Sequence, residues 1–143
     1  MPQFIINNTK PRHYGPNHDF VAGYIEAMYF TNGDTGSDND DLLNELGTSR
    51  LTREALADIK ADCDRFIGTI MPDGCFARQW LDRVEDYDDE QAGRDLWFTR
   101  QGHGVGYWER EQLKGYIGEG LTDAAKRLGE ANVEVWRGWI YHR

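Results

Sequence analysis

Cross-linking and reactive residues are scarce in this chain. Cysteine occurs twice, at Cys63 and Cys75, too far apart for a C-x-x-C redox motif and too few for a zinc cage, so both read as ordinary thiols in a reducing compartment. Serine also occurs only twice, at Ser37 and Ser49 in loop-like surroundings, which leaves a histidine no clear nucleophile to activate. No apolar run approaches the ~20 residues of a membrane span, and the opening MPQFIINNTKPR lacks the basic start and apolar stretch of a signal peptide. These absences predict a cytoplasmic protein with no membrane contact. Basic residues are the minority too, 16 Lys and Arg against 25 Asp and Glu. Affinity for phosphate comes from Lys and Arg, so direct nucleic-acid binding is not expected.

What is present favours a folded domain. Hydrophobic residues make up 39% and aromatics 13% of 143 residues, enough to build one core, and no repeat or linker divides residues 1–143. The net charge of −9 is concentrated locally. Asp34, Asp38, Asp40, Asp41 and Glu45 form one window of charge −5 with no basic residue. Asp82, Glu85, Asp86, Asp88, Asp89 and Glu90, against Arg83 alone, form a second window of −5, so the remaining residues balance at +1. Two readings stand: a solvated face, or carboxylates imitating a duplex backbone, whose charges come every ~1.7 Å. DTGSDNDDLLNE places Asp34, Asp38 and Glu45 where a calcium loop has ligands, but Gly36 falls on a ligand position and Asn39 where glycine is required. No metal and no cofactor is expected.

Along the chain, residues 4–6 suggest a short strand, and NNTKPRHYGPN a loop, making residues 1–17 extended or loop-like. DFVAGYIEAMYF has Phe20, Tyr24, Ala27 and Met28 at helical spacing, with Val21, Ile25 and Phe30 widening the stripe. LTREALADIKADCDRFIGTI carries Thr52 as N-cap, Glu54 in the first turn, and Leu51 and Leu56 at staple positions. Leu56, Ile59, Cys63, Phe66, Ile67 and Ile70 give it one buried stripe, on which Cys63 reads as packing. Pro72, Asp73 and Gly74 break the chain. A third helix over residues 76–87 would bury Phe76, Trp80, Val84 and Tyr87, with Gly93 closing the region.

The next segment, WFTRQGHGVGYWER, reads as a hairpin. A turn over residues 101–104 pairs Leu96 with Glu109, Trp97 with Trp108, Phe98 with Tyr107 and Arg100 with Val105, Gly102 supplying a positive φ and Gly106 leaving room beside a tryptophan. LTDAAKRLG reads as a short helix with Thr122 as cap and Gly129 as stop. In NVEVWRGWIYHR a turn at Arg137 and Gly138 pairs Trp136 with Trp139 and Val135 with Ile140. The expected fold is therefore a single α+β domain, three main helices and a short fourth packed with a small antiparallel sheet of two hairpins. His103 at the first tip, with Arg100 and Glu109 beside Trp97 and Trp108, is either an acid-base or ligand-contacting group or a turn histidine.

GRDLWFTRQGHGVGYWER resembles a motif of small, mostly uncharacterised bacteriophage and prophage proteins. Asp95, Trp97, Thr99, Arg100, His103, Gly104, Gly106, Trp108, Glu109 and Arg110 fill its places, with Tyr107 and Glu109 where phenylalanine and aspartate are more usual. FVAGYIEAMYFT, LTREALADIKADCDRF and LTDAAKRLGE are similar as well. The motif brings no known reaction, so no catalytic residue follows. The resemblance implies an interaction protein of the host cytoplasm that inhibits or modulates a host or defence protein with a basic surface, of an anti-restriction or anti-CRISPR type. The alternatives are a small enzyme or ligand-binding protein using the hairpin around His103, and a homo-oligomer, a structural phage protein, burying one aromatic face against its copy.

Overall fold

The computed structural model describes residues 14–32, 51–102, 106–136 and 139–142. Its helices are α1 (His18–Asn32), α2 (Arg53–Ile67), α3 (Ala77–Asp82), α4 (Asp89–Gln101) and α5 (Tyr116–Lys126), with single 3-10 turns at Tyr107–Glu109 and Glu111–Leu113. Strands β1 (Val133–Trp136) and β2 (Trp139–His142) pair antiparallel as a two-stranded sheet. The architecture is α+β, as expected, but the sheet among the described residues comes from one hairpin. Residues 4–6 lie outside them.

α1 is the central element. Phe20, Val21, Tyr24, Ile25, Ala27 and Met28 are all buried, so the widened stripe reflects a helix covered on nearly every side. α2 starts as its sequence dictates: the Thr52 side chain accepts from the Ala55 amide at 2.9 Å. Its stripe of Ile59, Cys63 and Phe66 is fully buried and ends at Ile67; Ile70 lies beyond the helix and is exposed. There the chain doubles back in a tight loop, Ile70 bridging antiparallel to Phe76. Phe66 lies between the Phe20 and Tyr107 rings, with centroid distances of 6.0 and 5.5 Å.

Three expected boundaries are corrected. The helix after Phe76 stops at Asp82, and Val84 and Tyr87 lie in a turn where Asp86 takes a left-handed φ of 56°. Gly93 closes nothing, because it sits inside α4, which begins at an Asp88 cap accepting from the Gln91 amide at 2.8 Å. The reason for a glycine there is steric. A Cβ on Gly93 would run into the Phe20 carbonyl oxygen, and one on Gly23 into that of Glu90, so α1 and α4 touch backbone to backbone. Thr122 is likewise interior to α5, its hydroxyl bonded to the Gly118 carbonyl at 2.7 Å. The helix starts at Tyr116 despite Gly118 and Gly120, whose Cβ atoms would lie 2.7 Å from Leu113 O and from the Trp80 ring. Close packing there outweighs low helix propensity.

The largest correction concerns the first hairpin. Leu96, Trp97, Phe98 and Arg100 are not in a strand but in the C-terminal half of α4. Gly102, with φ 72°, is its left-handed cap, and Tyr107, Trp108 and Glu109 form a 3-10 turn. Asp95, Leu96, Trp97, Thr99 and Arg100 are all buried, so this helix has no dry and wet face to reveal its period. A short run buried on both sides reads equally as strand or helix. The second hairpin has the expected register, Val135 opposite Ile140 and Trp136 opposite Trp139.

Candidate functional site

The motif segment folds back on itself, and its polar side chains close inward. Asp95 is completely buried. Its Oδ2 accepts from the Tyr87 hydroxyl at 2.6 Å and from Arg110 Nε at 2.9 Å. Its Oδ1 accepts from Gln91 Nε2 at 2.9 Å and Arg110 Nη2 at 2.8 Å. The Arg110 pair is thus bidentate, the geometry a guanidinium suits best. Burial first, then the neighbouring Tyr107 and Asp95, pushes the Tyr87 phenol far up, so it remains a donor.

One turn on, Thr99 Oγ1 donates to Asp95 O at 2.6 Å and accepts from the Tyr107 amide at 3.1 Å, holding the returning chain against the helix. The Tyr107 hydroxyl donates to Ala92 O at 2.7 Å, and Trp97 Nε1 to Thr31 Oγ1 at 2.6 Å. A Cβ on Gly106 would meet the Trp108 ring and Thr99 Oγ1, which accounts for a glycine beside the tryptophan. Asp95, Thr99, Tyr107 and Arg110 form a clasp joining α4 to the segment after it.

Arg100 extends the network to the rest of the fold. Its Nη1 donates to Asp62 Oδ2 at 2.8 Å and to the Tyr24 hydroxyl at 2.9 Å, and its Nε to Gly129 O at 2.8 Å. The Tyr24 oxygen lies 2.7 Å from His142 Nε2, whose other ring nitrogen lies 2.6 Å from Asp58 Oδ2. Tyr24, Asp62, Arg100 and His142 are buried. Burial is the main reason the Tyr24 pKa stands well above its ordinary value, the Arg100 charge pulling the other way. Asp58, Asp62 and His142 bring one ligand atom each within 4.8 Å of one another. Their chemistry does not suit a cation, because Arg100 already neutralises Asp62 and both imidazole nitrogens have hydrogen-bond partners.

Of the residues singled out in the hairpin motif, Trp97, Arg100 and Tyr107 are therefore interior. Trp108 is partly exposed, its indole N–H donating to Glu109 Oε1 at 3.1 Å, and Glu109 is exposed. His103 lies outside the described residues, as do Asp34, Asp38, Asp40, Asp41 and Glu45. The second acidic window is on the surface but partly neutralised. Arg78 Nη2 lies 2.6 Å from both Asp82 Oδ1 and Asp89 Oδ1, and Arg94 lies 3.8 Å from Glu90. Asp88 caps α4, and among the described residues no cation pairs with Glu85 or Asp86.

Asp58, Asp62 and His142 were not singled out by the sequence, and Tyr24 was placed only on the apolar stripe of α1. The available signal was Asp58 and Asp62 four apart on one face of α2, with Asp62 next to buried Cys63.

Open grooves mark the surface, and none of Tyr24, Asp95, Arg100 or His142 lines either of two that lie among the described residues. The larger, about 590 Å³, is lined by Pro16, Asp64, Ile67, Phe76 and Arg78 among others. Phe76 is 48% and its bridge partner Ile70 66% exposed, so two large apolar side chains stand at this edge. The Arg78 side chain links the groove to Asp82 and Asp89. No helix among the described residues is long and apolar enough to cross a membrane. Comparison with family models, with curated proteins and with solved structures returned no match.

Proposed function

We propose that this chain is a phage-type interaction protein that modulates or inhibits a host or defence protein by contact rather than by catalysis. The observation that carries the reading is a division of labour. Asp95, Thr99, Tyr107, Arg100 and Arg110, five polar residues of the motif, are bonded to one another or to the core. Exposed Ile70 and Phe76 stand instead beside a groove whose Arg78 joins the acidic stretch from Asp82 to Glu90. Apolar anchors inside a charged rim are the usual anatomy of a protein-binding surface.

The partner fitting it presents an apolar side chain flanked by Lys or Arg. Charge imitation of nucleic acid is the narrower form of the proposal. With Arg78 and Arg94 added to the window of −5, the net charge falls to −3, so Glu85, Asp86 and Asp88 carry that form in the described part of the molecule. Contact with a basic protein needs less regularity than a phosphate array.

The test uses host extract and two baits, the natural chain and an Ile70→Ala/Phe76→Ala variant, followed by titration of the recovered protein in rising salt. The proposal expects a partner held by the natural chain, lost by the variant, and weakened by salt. Equal capture by both baits, or binding indifferent to salt, contradicts it.

A further inference from the structure

Arg100 dictates where every proton lies in the row of side chains from buried Asp62 to partly exposed Asp58. A guanidinium has only donors. The Tyr24 oxygen, 2.9 Å from Arg100 Nη1, must therefore accept there. The one phenolic hydrogen is left for His142 Nε2, 2.7 Å away, so Nε2 is the bare nitrogen. Nδ1 then carries the hydrogen and donates it to Asp58 Oδ2 at 2.6 Å. A single state satisfies the row: neutral His142 with its proton on Nδ1.

Adding a proton breaks that order. A hydrogen on Nε2 points at an oxygen that already accepts from Arg100, and the phenolic hydrogen loses its only acceptor. Tyr24 has no solvent exposure, and its ring packs edge-on to His142 at 5.7 Å. The groups facing the imidazole are Tyr24 and the Trp97 ring from α1 and α4, Asp58 and Asp62 from α2, and Arg100 from α4, with Cys63 behind Tyr24. Across the sheet stands Val133. Burial is the largest influence and holds the His142 pKa below its ordinary 6.5; the Asp58 hydrogen bond opposes this and the Arg100 charge reinforces it.

We propose that His142 is an acid-sensitive latch whose protonation releases the hairpin of β1 and β2 from α1 and α2. Besides His142, β2 meets the segment preceding α2 at Ile140. Thr52 N donates to Ile140 O at 3.1 Å, and Leu51 bridges Ile140 in parallel. The crossing of α1 on α4 at Gly23 and Gly93 does not involve His142 and holds the rest together. Opening would uncover Ile140, which is fully buried in the closed form. The latch stands independently of the proposed partner.

The sign follows from the open hairpin, whose histidine titrates near its ordinary value. Closure is at full strength above a pH of about 6.5 and weakens as the pH falls, by up to about tenfold per pH unit until the closed-state pKa is passed.

Amide exchange and imidazole nitrogen shifts of the natural chain, followed from neutral to acid pH, test this. At neutral pH the nitrogen spectrum should show bare Nε2 and protonated Nδ1. On acidification, protection of the Thr52 amide, corrected for intrinsic exchange, should fall by up to about tenfold per unit while that of Leu96 in α4 stays level. His142→Gln should remove the step. Should that variant not fold, Tyr24→Phe, which deletes the opposing phenol and so brings the closed-state pKa nearer the ordinary value, should make the step smaller. A charged or Nε2-protonated imidazole at neutral pH, parallel loss at Thr52 and Leu96, or no step on acidification would overturn the latch.

Discussion

Replacing Arg110 by methionine keeps the aliphatic stem and removes two of the four hydrogen bonds to the Asp95 carboxylate, leaving it with Tyr87 and Gln91. Asp95 has no solvent exposure. Deleting one partner of a buried ion pair costs about 3–5 kcal/mol, mostly as the penalty of the charge left behind. The Arg110 side chain is 28% exposed, so water can reach the vacated position and relieve part of this. The expected loss is therefore ~2–4 kcal/mol. A domain of this size has a total stability of roughly 7–20 kcal/mol, so the variant should fold, with Tm lower by about 10 °C. Urea unfolding followed by tryptophan fluorescence and far-UV circular dichroism reads the loss. Asp95→Leu/Arg110→Met should recover part of it, with a coupling of at least about 2 kcal/mol. A loss below ~0.5 kcal/mol, the scale of a surface pair, would refute the clasp.

Other outcomes follow from the same contacts. Gly93→Ala should cost more than ~2 kcal/mol in urea unfolding, because its Cβ collides with backbone of α1, whereas Gly74→Ala, which meets nothing nearby, should show only the mild strain of its φ of 85°. Thr99→Val should lose about 1–3 kcal/mol, since it leaves the buried Tyr107 amide without its acceptor. At alkaline pH, burial holds the phenols of Tyr24, Tyr87 and Tyr107 above their ordinary 10.0. Stability is then complete below about pH 10 and falls as pH rises, by up to ~1.4 kcal/mol per unit for each group. The absorbance of these three tyrosinates should appear only with unfolding; their ionisation at ordinary pH in a folded chain would contradict it.

Local signals were the legible part of this chain. The Thr52 cap and its apolar stripe specify α2, and matched aromatic and branched residues specify the register of the last hairpin. Elements buried on every side were not legible as such. α4 mimics a strand because Trp97 and Leu96 are both interior, and α5 carries glycines whose purpose is visible only beside Leu113 and Trp80. Asp88 followed by Gln91 three positions on is a cap signal that outweighs strand-like alternation downstream. Of the polar site, the motif was visible as a cluster, but its direction was not. Arg100 meets Asp62 across 38 positions and His142 meets Tyr24 across 118, distances over which periodicity carries no information.

The central claim, that the motif builds the protein while its groove edge meets the partner, is tested most directly by measuring stability and partner affinity on the same two variants. Arg110→Met, assayed well below its melting temperature, should lose stability and keep its affinity. Ile70→Ala/Phe76→Ala should keep stability and lose affinity by tenfold or more, as removal of two interface anchors of about 1 kcal/mol or more each requires. The reverse pattern, affinity lost with Arg110 and retained without Ile70 and Phe76, would contradict it.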